Sequence, residues 1–313
     1  MDIQIVKPFE PVATKKLPEG EQWVAQVKWD GVRILNYYDG NTVRLFNRKL
    51  HERTLQFPEI TDINKYCKAQ SIVLDGEIIA LAEGKPSFHH VMKRDRITRL
   101  ENLTWLMQDT PVIYMIFDIL YLNGEWVNNR PLHARQRILK ENLIVRENVR
   151  LVENFSEIEQ IFDVVQQASL EGIVCKDINS SYAINGKDNR WLKIKNYHDL
   201  YAVIGGVTFN CGQVNALLLG LYNEAGELNF IGRVGSGKIT DVEWCSFTKS
   251  IKPLVTNQRP FINKPDKIND VAWLRPEITL KVTYIHWTEG KLLRQPVIQA
   301  FVDVSPKECT FKQ

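Results

Sequence analysis

Hydrophobic and polar residues alternate along most of the first two thirds of the chain, and this pattern predicts β-strands. The clearest strand segments are TVRLFNR, SIVLDGEIIAL, VIYMIFDILYL, GIVCKD and RWLKIK. Two segments have helical spacing instead: PLHARQRILKENLI, and FSEIEQIFDVVQQAS with Ser156 and Glu159 placed as a capping box. The pattern predicts an α+β domain of antiparallel sheets and helices over residues 1–198.

From Tyr201 onward the pattern changes to short strands separated by glycine-containing turns. The strand segments are LYAVIGGVTF, NALLLGLYN, LNFIGRVGSG, TLKVTYIHWT and PVIQAFVDV. One predicted helix, ITDVEWCSFTKSI, interrupts them and carries a capping box of Thr240 and Glu243. Five short strands with one inserted helix fit a small β-barrel of the OB kind, which we predict over residues 199–313.

Composition and charge exclude several classes of protein. The chain has 313 residues, 44% of them hydrophobic and 25% charged, which is typical of globular proteins. No apolar run is long enough to span a membrane, and no secretory signal is visible. The 5 cysteines are scattered without a Cys-x-x-Cys pair, which argues against a disulfide framework and against a four-cysteine zinc site. We therefore expect a cytoplasmic protein with no membrane partner. The net charge of +3 is too small to prove a nucleic-acid partner.

The stretch VKWDGVR places Lys28 in an apolar, strand-like run that ends in Asp-Gly. Asp-Gly between two alternating runs is a strong hairpin signal, so the stretch alone is explained by a β-turn. Other apolar strands also carry charged residues: Asp75 and Glu77 in LDGEIIAL, Asp118 in FDILYLNG, Glu171 and Lys176 in LEGIVCKD, and Lys193 and Lys195 in WLKIK. Buried charges are costly unless they are paired or bind a ligand. Lysines and glutamates that converge on one pocket would suit a metal–polyphosphate ligand.

In their order and wording these motifs resemble the ATP-dependent DNA ligases of the covalent nucleotidyltransferase superfamily, specifically the compact bacterial type that is similar to the ligase module of ligase D. The resemblance runs from about Val24 to the last strand. It implies an ATP-grasp-like nucleotidyltransferase domain followed by an OB-fold domain. It also implies sealing of 5′-phosphate/3′-hydroxyl nicks or breaks in duplex DNA through a lysine–AMP intermediate and an adenylated DNA end, in DNA repair or end joining.

The resemblance assigns roles to individual residues. Lys28 is the expected nucleophile. The residues expected to bind ATP or the nick end are Gln26, Arg33, Arg48, Glu77, Phe117, Glu171, Lys193, Lys195 and Arg294. Among them Phe117 would stack on adenine, and Lys193 and Lys195 would contact the α-phosphate. Glu171 would hold the metal, Mg²⁺ or alternatively Mn²⁺, and Glu77 would hold either the ribose hydroxyls or the metal. For Asp30, Asp75 and Lys176 a structural role in a turn or at a strand end explains the residue equally well.

Two positions depart from the family pattern. Gln26 occupies the place of the usual glutamate, and its amide oxygen can still accept a hydrogen bond from the adenine amino group. In LLRQPVIQAFVDV, Arg294 and Pro296 match the family's last motif, but Val302 stands where a second arginine is expected. The second departure puts the efficiency of self-adenylation in doubt.

Partners and alternatives follow from the same resemblance. Only 27 residues precede Lys28, so we expect no nicotinamide-reading domain and favour ATP over NAD as the donor. The expected partners are nicked or broken duplex DNA and Ku or another DNA-end-binding protein, and we expect a monomer associated with the nucleoid. An RNA ligase, a capping guanylyltransferase and a non-catalytic nick or end sensor remain open. The sequence leaves undecided whether the substrate is a nick or a double-strand break, whether the chain is part of a multidomain protein, and whether its role is in a host or a phage.

The basic run KRDRITR, residues 93–99, also has two interpretations. A solvated helix face is the simpler one. Contact with DNA phosphates is the alternative, and it would make binding strongly salt-dependent.

Overall fold

The computed structural model describes residues 3–82, 84–98, 100–235, 237, 239–265 and 270–313. The chain forms two compact units, Met1–Asn196 and Tyr197–Gln313. No helix among the described residues is long and apolar enough to cross a membrane.

The first unit combines two sheets with four helices among its described residues. The strands are β1 Glu10–Ala13, β2 Trp23–Val27, β3 Val32–Tyr38, β4 Val43–Asn47, β5 Ile72–Ala82, β6 Lys85–Pro86, β7 Val112–Leu122, β8 Glu125–Trp126, β9 Val149–Leu151, β10 Gly172–Asp177 and β11 Lys187–Lys195. The helices are α1 Phe88–Asp95, α2 Leu103–Asp109, α3 Leu132–Asn142 and α4 Ile158–Gln167. One sheet has the order β1-β11-β10-β2, and the larger one has the order β4-β3-β5-β7-β8 with β6 and β9 at its margins.

The two sheets of the first unit face each other and share one hydrophobic core. Side chains alternate between the two faces of each strand, so every second residue points into this core. On β11, Trp191 packs with residues of the larger sheet such as Leu35 and Leu120, whereas Ile194 packs with Val165 of α4 on the opposite face. The far side of the larger sheet is covered by a separate core that includes α3 residues such as Leu139. Charged residues that share the strand face of Trp191 therefore point into the space between the sheets.

Both predicted helices of this unit are confirmed as α3 and α4, but the capping box at α4 is wrong. The helix begins at Ile158, after Glu157, and no side chain caps it. Helices α1 and α2 were not predicted from hydrophobic spacing. In α1 the solvated-face interpretation fails for Arg94, which is fully buried against Glu59, while Arg99 of the same run lies outside the described residues.

The second unit is a bent, mostly antiparallel sheet with one α-helix among its described residues. Its elements are β12 His198–Asn210, β13 Gln213–Tyr222, β14 Leu228–Val234, α5 Asp241–Ser250, β15 Val255–Thr256, β16 Val271–Leu274, β17 Thr279–Tyr284 and β18 Val297–Val302. The long strand β12 pairs with β17 over its first half and with β16 over its second half, with a register shift between Ile204 and Gly206. A Cβ at Gly205 would collide with the ring of Phe261, so the bend requires glycine there. The predicted capping box of Thr240 and Glu243 is confirmed at α5.

Candidate active site

Lys28 lies one residue beyond the end of β2, where two glycines let the backbone segments approach closely. Its amide donates to the carbonyl of Gly172, at 2.9 Å, which joins the Asp-Gly turn to the start of β10. A Cβ at Gly31 would collide with the carbonyl of Ile78, and a Cβ at Gly172 would collide with that of Ile194. Glycine at both positions therefore allows the close backbone packing that determines the positions of Lys28 and the neighbouring Glu171.

Two lysines contact the carboxylate of Glu171, and a third, Lys193, lies close enough to feel their charges. Lys28 Nζ lies 2.5 Å from Oε2 and Lys195 Nζ lies 3.6 Å from Oε1, and the Glu171 side chain is only 4% exposed. Burial lowers the pKa of Lys193, and the positive charges of Lys195 and Lys28 lower it further. Burial is also the largest cause of the lowered pKa of Lys195. Lys28, Lys193 and Lys195 bring three amines close together, and such a cluster of positive charge attracts an anion such as a polyphosphate.

Glu77 adds a second carboxylate to the site. It lies on β5, directly opposite Arg33 of β3 in the strand register. Burial raises the pKa of Glu77 to about 8, and the charges of Glu171 and Asp30 add to this, while Lys28 and Arg33 oppose it. Carboxylates suit Mg²⁺, which binds in such sites through one or two carboxylates together with phosphate oxygens. Among the described residues no group of three or more His, Cys, Asp or Glu side chains is placed to hold a metal, so phosphate oxygens would have to complete the shell.

Arg33 forms a bidentate ion pair with Asp75. Its Nε and Nη2 donate to the two carboxylate oxygens of Asp75, at 2.9 and 2.6 Å, and Tyr182 donates its hydroxyl to the same carboxylate at 2.7 Å. The guanidinium also lies over the ring of Phe117, at 5.3 Å. Asp75 therefore has a structural partner, and the predicted contact of Arg33 with phosphate stays a prediction.

A second buried ion pair lies next to the first. Asp118 of β7 is opposite Asp75 in the register, and Arg135 of α3 donates to both of its carboxylate oxygens, at 2.7 and 2.9 Å. Lys176 of β10 is buried beside these two pairs and lies over the rings of Trp191, at 3.8 Å, and Phe117, at 4.4 Å. Its Nζ has no hydrogen-bond partner among the described residues. The two arginines already neutralise the two aspartates, so the charge of Lys176 is in excess.

Burial lowers the pKa of Lys176 to about 7, and the charges of Arg33 and Arg135 lower it further, against the attraction of Asp118 and Asp75. The ordinary pKa is 10.5, so between pH 7 and 10.5 the unfolded chain binds a proton that the folded chain does not. This group therefore makes the free energy of unfolding rise with pH in that window, by up to about 1.4 kcal/mol per pH unit.

Lys176→Met should remove this dependence. We expect the variant to be more stable than the wild type at pH 7, by roughly 1–3 kcal/mol, because a buried uncompensated charge is replaced by an apolar side chain. The difference should shrink toward pH 9.5. Urea unfolding of both proteins at pH 7, 8, 9 and 9.5 measures it, and a difference that stays constant with pH would contradict the assignment.

The remaining predicted residues are less enclosed or lie in the second unit. Phe117 is partly exposed, so part of its ring surface is available to a planar ligand. Arg48 is 59% exposed and lies 3.6 Å from Glu10. Arg294 precedes β18, where its amide donates to the carbonyl of His286, and Val302 pairs with Thr279. Residues that the sequence did not single out contact residues that it did: Tyr182 donates to Asp75, Trp191 packs against Phe117, Asn154 accepts from Gln26, and Gln136 donates to the carbonyl of Phe117.

The two-unit fold is that of a nucleotidyltransferase domain followed by an OB-fold domain. A family model described as ATP dependent DNA ligase domain matches residues 4–195, and a model described as ATP dependent DNA ligase C terminal region matches residues 210–303. The chain belongs to the ATP-dependent DNA ligase family. The predicted fold class, an α+β nucleotidyltransferase domain followed by an OB-fold barrel, is confirmed.

Relatives and solved structures agree with this assignment. The chain is 29% identical to a DNA ligase of Thermococcus onnurineus over 98% of its own length and 58% of the relative's. It is 30% identical to the multifunctional non-homologous end joining protein LigD of Mycolicibacterium smegmatis, over 89% of this chain and 36% of that protein. The structure of mycobacterial DNA ligase D complexed with ATP and MES is similar, with 26% identity, a TM-score of 0.54 and coverage of 97% of this chain and 98% of that one. The chain thus spans less than two thirds of the length of these curated relatives.

Proposed function

We propose that this protein is an ATP-dependent DNA ligase that joins a 5′-phosphate to a 3′-hydroxyl in nicked or broken duplex DNA. One observation carries the proposal: in a chain of this family, Lys28 is held 2.5 Å from the buried carboxylate of Glu171, which Lys195 also contacts, and Lys193 lies near both lysines. This arrangement provides an amine nucleophile, a carboxylate and two further positive charges at one place.

In the first step the Lys28 amine attacks the α-phosphorus of ATP. A nitrogen–phosphorus bond forms, the bond to the bridging oxygen of the β-phosphate breaks, and pyrophosphate leaves. An ammonium cannot attack, so the proton must leave Lys28 first, and the carboxylate of Glu171 lies within hydrogen-bond distance to receive it. Lys193 and Lys195 would stabilise the charge that develops on the phosphate oxygens.

In the second step the AMP passes from Lys28 to the DNA 5′-phosphate, and in the third the 3′-hydroxyl attacks that phosphate and displaces AMP. Both are in-line transfers that depend on positioning and charge neutralisation. Arg33 and Arg48 would contact the nick phosphate, and Arg294 would orient the departing pyrophosphate. The two domains, residues 1–198 and 199–313, would hold the DNA. The likeness to LigD supports a role in end joining, with Ku or another end-binding protein as partner at the nucleoid.

Mg²⁺ fits the carboxylate set of this site. Glu77 and Glu171 would hold it, and the ion would neutralise charge on the ATP phosphates. Mn²⁺ accepts the same oxygen ligands.

Glu171→Gln should lower the rate of self-adenylation by roughly 100-fold, because the amide neither accepts the proton of Lys28 nor binds the metal as a carboxylate does. Glu159→Gln, on the exposed face of α4, is the matched control and should leave the rate unchanged. Rapid-quench labelling with ATP measures both rates, and equal rates in the two variants would remove Glu171 from the mechanism.

Incubation with α-³²P-labelled ATP and Mg²⁺, followed by a denaturing gel and a chase with nicked DNA, tests the proposal. The proposal requires label that stays on the protein and moves to the DNA 5′ end. Label that moves only to RNA ends would favour an RNA ligase, labelling by GTP alone would favour a guanylyltransferase, and DNA binding without label would favour a nick or end sensor.

A further inference from the structure

Three side-chain amides form a hydrogen-bonded series, here called the amide chain, that ends at the main-chain carbonyl of Phe117. Gln26 Nε2 donates to Asn154 Oδ1 at 2.7 Å, and Asn154 Nδ2 donates to Gln136 Oε1 at 3.3 Å. Gln136 Nε2 then donates to the main-chain carbonyl of Phe117 at 2.7 Å. Gln26 and Gln136 are almost completely buried, with 2% and 8% exposure, so their amides cannot reorient without losing these partners.

The direction of this chain is fixed at one end. An amide group can usually turn over, because its oxygen and nitrogen are similar in size, but a main-chain carbonyl can only accept a hydrogen bond. Gln136 must therefore present its nitrogen to Phe117 and its oxygen to Asn154. Asn154 must then donate to Gln136 and accept from Gln26. The carbonyl of Phe117 thereby determines the orientation of the Gln26 amide.

This orientation leaves the oxygen of Gln26 as the group that can receive a ligand. No described residue donates a hydrogen bond to Gln26 Oε1. This oxygen is not one of the fully buried polar atoms that lack a partner, so it is accessible to a ligand. Gln26 and Lys28 are two residues apart on β2 and its continuation, so both point into the space between the sheets. Phe117, at the other end of the chain, offers its partly exposed ring to the same space.

We propose that Asn154 and Gln136 are positioning residues that make the protein select a purine with a 6-amino group over one with a 6-oxo group. The inference rests on the proposed use of ATP. The fixed oxygen of Gln26 accepts from a 6-amino group and repels a 6-oxo group, and a site committed to one polarity rejects the opposite one strongly. Because the amide chain ends at the carbonyl of Phe117, it aligns the Gln26 amide, which contacts the edge of the base, with the Phe117 ring, which is expected to stack on the base.

The amide chain also accounts for glutamine at position 26, where the resemblance to the ligase family leads one to expect glutamate. A carboxylate has no hydrogen to donate to Asn154 Oδ1. Asn154 would have to turn over, and Gln136 would then face it with the wrong polarity or abandon the carbonyl of Phe117. Gln26, Asn154 and Gln136 are therefore a matched set.

The test compares equilibrium binding of ATP and of inosine triphosphate, which carries a 6-oxo group, by calorimetry with the full chain. All proteins carry Lys28→Ala, so that no covalent step disturbs the equilibrium. Asn154→Ala frees the amide of Gln26 to turn over and should lower the preference for ATP about 3- to 10-fold, which is the worth of one neutral hydrogen bond. Asn154→Asp cannot donate to Gln136, but both of its oxygens accept, so it needs no partner to orient it and still accepts from Gln26; it should keep the preference within about 2-fold of the parent. Asn154 is exposed, so neither variant should disturb folding.

Equal ratios of the two dissociation constants in the parent and in Asn154→Ala would overturn the inference, as would an equal loss in Asn154→Ala and Asn154→Asp. A second comparison uses Gln26→Glu, which should weaken ATP binding by a larger factor in the parent than in Asn154→Ala, where the polarity of the chain no longer matters. Equal factors would also overturn the inference. Tight binding of ATP with unchanged ratios would refute the inference alone, whereas a protein that binds neither nucleotide and takes no label from ATP would refute the proposed function as well.

Discussion

The Lys28→Ala protein should carry no AMP after incubation with ATP and Mg²⁺, whereas the wild type should become labelled. Alanine has no nucleophile, so the nitrogen–phosphorus bond cannot form, and we expect self-adenylation to fall at least about 10⁴-fold. Intact-mass spectrometry detects the added adenylate directly. It also shows whether the wild type is already adenylated when purified, which a labelling assay alone would miss.

Two further variants separate the chemistry of Lys28 from its charge. Lys28→Arg keeps a positive charge next to Glu171 but is not deprotonated in proteins, so it should be as inactive as alanine. Lys68→Ala removes an exposed lysine of the same unit and should be labelled normally. Label on Lys28→Ala at the wild-type level would mean that another residue is the nucleophile.

The Lys28→Ala variant also separates the last step of the reaction from the first two. Sealing of a nick that already carries AMP on its 5′-phosphate needs no lysine nucleophile, so Lys28→Ala should still perform this last step. Failure of the variant on adenylated and unadenylated nicks alike, with its folding intact, would show that the lysine has a role beyond the covalent bond.

Strand periodicity made the inward direction of the charged residues predictable. Lys193 and Lys195 are two apart on β11 and share the face of Trp191, and Asp75 and Glu77 share one face of β5 in the same way. The two glycines that follow Asp30 and Glu171 are visible in the sequence as well. Motif order then identified the family, because many short motifs in one order are far more specific than any motif alone.

Pairing between strands could not be predicted, because it depends on register. Arg33 and Asp75 are 42 residues apart, and only the register of β3 against β5 brings them together. The amide chain depends on packing between β2, α3 and the segment before α4, for which the sequence carries no local signal. The α4 cap failed for a related reason: Ser156 and Glu159 have the right spacing, but the helix starts too late to use them.

The largest effect on stability should come from Arg135→Met. Arg135 and Asp118 are both completely buried, and the arginine donates two hydrogen bonds to the aspartate and one each to the carbonyls of Ser180 and Arg130. Removing the guanidinium leaves a buried carboxylate without its counter-ion, which costs about 3–5 kcal/mol. For a unit of this size the midpoint of thermal unfolding should fall by roughly 6–20 °C.

Arg137→Met on the same helix is the matched control. Arg137 is 77% exposed and its contact with Glu141 is a long surface pair of 3.8 Å, so its loss should change the free energy of unfolding by less than about 0.5 kcal/mol. Urea unfolding followed by tryptophan fluorescence measures both variants. A cost for Arg135→Met as small as that of the control would mean that the pair contributes no more than a surface contact.

Replacing both partners, as in Asp118→Leu with Arg135→Met, distinguishes the cost of an orphaned charge from the net value of the pair. The double variant should recover much of the lost stability, because apolar side chains of similar volume replace a buried ion pair at little cost. It should not fully recover adenylation: Asp118 follows Phe117 directly, and Arg135 precedes Gln136, whose side chain supports the carbonyl of Phe117. Recovery of stability without recovery of activity would place the function of this ion pair in holding Phe117 and Gln136 in position rather than in stabilising the fold.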